Sequence, residues 1–191
     1  MALSRLGLED ITSLTDDTAR AIACRVAYQN VIDEVLLEHD WVCARYMKDL
    51  TALVSTPVYK FYYQYLLPAN PYCLRIREVA NLSEVSIKYQ MMGRYILCDE
   101  PGGLYLSYNK RVTDPTELDG ILANCISLRL ASWIEPRFGD SITRRKSILE
   151  EYGGLILQAK IEGAAHDYAD DETERSADTE NGNSDWSQAG R

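Results

Sequence analysis

Five cysteines, two histidines and scattered carboxylates are the side chains from which chemistry would have to be assembled. Cys24, Cys43, Cys73, Cys98 and Cys125 follow one another at spacings of 19, 30, 25 and 27, with no C-x-x-C pair and an odd total. That pattern suits neither a metal knuckle nor a disulfide framework. Apolar neighbours make the thiols read as small core residues. A zinc site would have to draw His39 and His166 from opposite ends of the chain without a spacing motif. His39 lies between Glu38 and Asp40, but consecutive side chains at a helix end diverge and no nucleophile accompanies them. Its expected role is at a helix C-terminus, facing the dipole. Asp99-Glu100 precedes Pro101-Gly102-Gly103 and reads as turn chemistry. The two glycines lead into a strand rather than a helix, unlike a phosphate-binding loop. The residues therefore predict no enzyme, no metal and no cofactor.

Two features instead suit contact with partners. Nine of the thirteen tyrosines fall between Tyr59 and Tyr108, against two phenylalanines in the whole chain. Tyrosine is favoured where one edge of a ring is wet or closed by another protein. Tyr59, Tyr62, Tyr63 and Tyr65 are the candidates, with an ordinary half-exposed sheet as the alternative. Arg137, Arg144, Arg145 and Lys146 form a basic knot, either a solvated face or a receptor for an acidic segment or a phosphate backbone.

The elements that must position these residues begin with a helix over Asp16–His39, with Thr15 or Asp16 as its cap and acids in its first turn. Cys24, Ala27, Val31 and Val35 make its apolar stripe, flanked by Ala23, Ile32 and Leu36. Trp41 closes it. After Pro57 the period becomes two: Tyr59, Phe61, Tyr63 and Tyr65 alternate with Lys60, Tyr62 and Gln64, a strand pattern. Further strands are expected at 74–79, 85–90, 95–98 and 104–110, with Asn70-Pro71, Met92-Gly93-Arg94 and 99–103 as turns. Closely spaced strands with short turns predict an antiparallel sheet or small sandwich. Asp114-Pro115-Thr116-Glu117 predicts a capped helix start, with Leu118, Ile121, Leu122, Cys125 and Leu128 on the apolar face. Ile126, Leu130 and Trp133 widen that face, and Pro136 and Gly139 end the helix. A last helix from Asp140 or Ser141 carries Ile142, Leu149, Tyr152, Ile156 and Ala159 towards Ala164. Its Gly153-Gly154 pair implies either close approach of another helix or a bend.

The expected class is α+β: an antiparallel helical bundle, made of a long first helix and two C-terminal helices, with an inserted antiparallel sheet or small sandwich. Residues 1–56 form the first part of the helical domain, 57–112 the β insertion, 113–166 the rest of the helical domain, and 167–191 an acidic tail.

The chain has 191 residues, 46% of them hydrophobic, and a formal charge of −9. The hydrophobic content is enough for a core. The acidity argues against a dedicated nucleic-acid binder or a polybasic membrane anchor. No signal peptide or stretch of roughly 18 apolar residues is readable, so a soluble protein made in the cytoplasm is expected. The segment from Glu162 to Arg191 has nine acids and two bases, leaving −2 for residues 1–161. Its composition is that of a solvated tail, yet Tyr168 and Trp186 are rings of the kind that dock on a neighbouring subunit or partner.

Several segments together resemble tail tubular protein A, the head-to-tail adaptor of short-tailed double-stranded DNA phages. They are the run "VIDEVLLEHDWVCAR" within 17–44, then "YQYLLPANPYCLRIREV", "GRYILCDEPGGLYLSYNKRVTDPTELDGILANCISLRLA" and "ILEEYGGLILQAK". The resemblance covers roughly residues 10–167. It rests on co-occurrence of Glu34 through Trp41, the Leu67-Pro68-Ala69 step and the Val112-Thr113-Asp114-Pro115 helix start. It implies a virion protein of the neck, assembled in the host cytoplasm into a homo-oligomeric ring, typically a dodecamer. The ring would join the portal protein to the tail nozzle, tail tubular protein B, and serve genome ejection. Contact with tail fibres is open. Double-stranded DNA would pass through the channel without sequence-specific binding, and no membrane is involved. The alternative reading is a small non-enzymatic binding module whose acidic tail masks a basic protein partner.

Overall fold

The computed structural model describes residues 1–139 and 141–180, with side chains as far as Gly163. Its helices are α1 (Ala2–Arg5), α2 (Ala19–Glu38), α3 (Gly120–Phe138) and α4 (Ile142–Glu180). Between α2 and α3 run β1 (Arg45–Thr51), β2 (Tyr63–Leu66), β3 (Cys73–Asn81), β4 (Gln90–Met92), β5 (Tyr95–Cys98) and β6 (Gly103–Lys110). The fold is α+β. The strands form two antiparallel three-stranded sheets, ordered β1-β6-β3 and β2-β5-β4.

The α2 stripe forms as its spacing requires: Ala23, Cys24, Val31, Ile32, Val35 and Leu36 are buried and Ala27 packs beside them. The start differs from expectation. Thr18 caps α2 by accepting from the Ala21 amide at 3.2 Å, and the first turn holds no acid. Asp16 instead accepts the Thr12 and Ser13 amides in the preceding turn. Trp41 folds back and donates its indole N–H to the Val35 carbonyl at 2.9 Å, satisfying one of the orphan acceptors at the helix end.

The β region begins at Arg45, ahead of the expected boundary at 57. In β1 only Leu50 is buried, so its sequence has no alternating stripe; pairing of Arg45–Thr51 with Asn109–Gly103 makes it a strand. The tyrosine run is strand only from Tyr63. Lys60 has φ 74° and the Phe61 amide bonds the Tyr59 carbonyl at 3.0 Å, so the chain turns there despite its period-two pattern. Residues 85–90 are largely not strand. Asn81 accepts the Ser83 and Val85 amides in a tight turn with Glu84 at φ 63°, and β4 starts only at Gln90. The strands expected at 95–98 and 104–110 are present as β5 and β6. Leu104, Leu106 and Tyr108 alternate inward on β6 with Leu50, Tyr65, Val79 and Ile96 in the sheet core.

Asp114 caps a short 3-10 turn, Pro115–Glu117, through the Thr116 amide at 2.9 Å. Glu117 does not complete a capping box; it pairs with Lys110 Nζ at 2.9 Å. Asp119 caps α3, accepting the Leu122 amide at 2.7 Å. Pro136 does not end α3 but lies within its last turn, and Gly139 is the C-cap; so near the end the missing amide costs one bond, to the residue-132 carbonyl. Buried Glu135 curls over Gly139 and accepts the Ser141 amide at 2.7 Å. A Cβ on Gly139 would lie 2.6 Å from that carboxylate oxygen. On α4, Ile148, Tyr152, Ile156 and Ala159 are buried, whereas Ile142 faces solvent. The helix runs unbroken through Gly153-Gly154, and a Cβ on either glycine meets nothing within 4 Å. Among the described residues, no other element packs close against the pair. The backbone of α4 continues past Ala164 to Glu180.

Carboxylates on and just beyond α2 tie the parts together. Asp33 receives a two-pronged grip from Arg111, at the end of β6, with Nε at 2.9 Å. Asp40 accepts Arg77 of β3 at 2.6 Å and Arg45 of β1 at 3.2 Å. Glu34 accepts Arg129 of α3 at 3.0 Å, and Glu38 accepts the Tyr152 hydroxyl of α4 at 2.7 Å. Such partly buried, charge-assisted bonds fix geometry more than exposed pairs do.

Candidate functional site

The thiols are placed as core residues. All five are free; Cys24, Cys73, Cys98 and Cys125 are buried and Cys43 half-buried. Burial raises each of their pKa values, to about 11 at Cys73 and Cys125, so they stay protonated at neutral pH. Cys43 Sγ lies 3.7 Å from Asp119 Oδ2, a carboxylate already occupied with capping α3.

His39 is the C-cap residue of α2, the helix end expected of it. Its ring stands edge-on to Trp41 at 5.0 Å, and a Cβ on Gly163 would lie 2.9 Å from it. Burial lowers its pKa, favouring the neutral ring. Asp99 and Glu100 serve turns: Asp99 Oδ1 accepts the Tyr62 amide at 3.1 Å, and the Glu100 carbonyl accepts the Tyr65 hydroxyl at 2.6 Å. Among the described residues there is no cluster of three or more metal-ligating side chains, and no helix is long and apolar enough to cross a membrane.

The tyrosine candidates separate into two environments. Tyr59 and Tyr62 are exposed, on the loop between β1 and β2. Tyr63 is half-buried against the sheet core. Tyr65 is not a surface residue: it is wholly buried, and its pKa is pushed up to about 12, first by desolvation. Period two put Tyr63 and Tyr65 on one face, which is the face that closes the core. Tyr108 is buried in the same way, its hydroxyl donating to the Pro71 carbonyl at 3.2 Å.

Sequence reading missed the neighbours that make this loop an apolar projection. Val54 and Val58 are fully exposed, with Leu53 at the exposed margin. Two valines around Ser55-Thr56-Pro57, a segment with no strand period, were the available signal. Pro57 and the Lys60 turn hold these side chains away from the sheet, since neither geometry continues a ladder. Leu53, Val54, Val58, Tyr59 and Tyr62 thus place five exposed large side chains within ten residues of one loop.

A second apolar surface lies on the helical bundle. Val26, 71% exposed, and Trp133, 51% exposed, flank a shallow groove of about 200 Å³ between α2 and α3, completed by Ala23, Asn30 and Arg137. Trp133 is therefore on the rim and not in the core, as its helical phase had suggested. Of the basic knot, Arg137 lines this groove. Arg137, Arg144, Arg145 and Lys146 are all exposed around the α3–α4 turn, and Arg144 also donates to the Leu6 carbonyl at 3.1 Å. Tyr168 belongs to the α4 backbone but its side chain lies outside the described residues, as does all of Trp186. A scan against protein-family models and a search of curated proteins return no match.

Proposed function

We propose that this chain is a structural, non-enzymatic connector of the virion neck, a ring-forming head-to-tail adaptor that joins a portal to a tail nozzle and completes the DNA channel. The observation that supports it is the pairing of two separate apolar surfaces on one tied framework. One is the Leu53–Tyr62 projection on the β half; the other is the Val26–Trp133 groove on the helical half. A ring-forming connector has to contact a neighbouring copy and an axial partner at once, and the Asp33–Arg111 and Asp40–Arg77 bonds hold the two halves in register. The near-neutral body, −2 over residues 1–161, suits a channel wall that lets phosphates pass. The sequence segments named above agree with this reading in their order. A closed ring built from one repeated contact would give such a subunit its symmetry.

Light scattering on the purified chain, alone and with portal rings, tests the proposal, with negative-stain images of any complex. Rings, formed alone or on the portal, are expected. The Val54→Asp/Val58→Asp double variant should keep its fold and lose docking on one side only. A chain that stays monomeric and binds no portal ring would sink the idea.

A further inference from the structure

We infer that the acidic C-terminal segment of one copy docks in the Val26–Trp133 groove and on the basic turn of a second copy. This deepens the ring reading and rests on it for the presence of a second copy.

Three observations carry it. The first is charge. The sequence has seven acids and one base between 167 and 180, and Asp185 beside Trp186 in the remaining eleven residues. Arg137 lines the groove at the end of α3, and the exposed cations Arg145 and Lys146 follow it in sequence on the first turns of α4. The second is shape. The groove's roughly 200 Å³ suits one large side chain, its walls are mostly apolar, and Asn30 and Arg137 supply its polar groups. The Trp186 ring entering between Val26 and Trp133 would bring Asp185 to Arg137, leaving the acids of 167–180 to face Arg145 and Lys146.

The third observation is reach, which excludes the same copy as the source. The groove lies by the N-terminal half of α2, where Ala23 and Val26 meet Trp133 and Arg137. Gly163 of α4 meets His39, at the opposite end of α2. From there α4 runs on to Glu180, moving away from the groove. Its 39 residues span about 58 Å at the helical rise. The six residues from Glu180 to Trp186 cover at most about 21 Å, and all eleven to Arg191 about 40 Å. With α4 intact, the segment cannot return to its own α3–α4 turn. A neighbour's turn is accessible, and the resulting contact is head-to-tail, the kind that generates a ring when its rotation closes.

Complementation between two full-length variants tests this. A donor-defective chain carries Asp170→Asn, Asp171→Asn, Glu172→Gln, Glu174→Gln and Trp186→Ala. An acceptor-defective chain carries Arg137→Glu, Arg145→Glu and Lys146→Glu. Sedimentation velocity should show wild-type self-association that weakens as NaCl rises to about 0.5 M, where charges are screened within a few ångström. Each variant alone should need on the order of tenfold more protein to associate, because charged contacts of this kind contribute a kilocalorie or more together. The two variants mixed should recover association as 1:1 heterodimers, since one intact donor and one intact acceptor remain. Circular dichroism checks that both fold. Association unchanged in either variant overturns the docking while leaving the ring standing. Tail-dependent association in a chain that never engages portal rings keeps the docking and overturns the adaptor reading. A wild-type chain that does not self-associate at any salt overturns the docking, and portal binding then decides the ring separately.

Discussion

Arg111 leaves the end of β6 and grips Asp33 of α2 with both Nε and Nη2, so that a single guanidinium joins the strand layer to the helical bundle. The same guanidinium lies 4.5 Å from the Tyr72 ring, with Arg94 4.1 Å from that ring. Both partners in the ion pair are largely shielded from solvent, which places this bond above the usual surface salt bridge in strength. Replacing Arg111 with Met should cost about 2 kcal/mol, the range for a charge-assisted bond whose loss strands a carboxylate. Urea denaturation of the two proteins measures it, and a change below the scatter of the method would contradict the assigned role.

Lowered basicity of His39 links stability to pH. Its folded-state pKa lies below the ordinary 6.5, mainly because burial disfavours the charged ring. The unfolded chain therefore binds the proton more readily, and stability is full above pH 6.5 and declines as the pH falls towards the folded value. Urea midpoints at pH 7.5 and 5.5 should drop less for His39→Gln than for the wild type. A variant with the same pH slope as the wild type would show that another group carries it.

Gly153 and Gly154 lie in exposed helix with open space where a Cβ would go. Either one changed to Ala should raise stability by about 1 kcal/mol, from helix propensity and a less flexible unfolded chain. Thermal unfolding of the isolated chain reports this. If the same changes also impair ring formation, the open glycines serve a contact between copies.

The reactivity of the thiols should follow their burial. With an aromatic disulfide reagent at neutral pH, the folded chain is expected to react at Cys43 alone, slowly, and the unfolded chain at all five positions. Rapid labelling of Cys125 or Cys73 in the native state would contradict the packing described for them.

The candidate surfaces were partly legible beforehand. Tyr59, Tyr62, Arg137, Arg145 and Lys146 were identified from residue type and are exposed. Tyr65 shares their chemistry and spacing but is buried, because period two names two faces of a strand without saying which one closes the core. The Val26–Trp133 groove left no local signal, since it exists only where two helices from distant parts of the chain lie side by side.

By itself, the sequence determined the α+β class, the inward stripes of α2 and α3, the strands β5 and β6, and the core character of the thiols. In each, a local run of apolar side chains at one period has to be buried, and any compact fold must honour it. Tertiary structure alone decided that the polar run Arg45–Thr51 is an edge strand, because its hydrogen bonds are supplied by β6, some sixty residues further on. It alone turned the chain at Lys60 and Asn81, carried α3 through Pro136, and gave the capping of α2 to Thr18. It also joined Asp33 to Arg111 across 78 positions, an attraction that has no local pattern because it depends on where two separately folded elements come to rest.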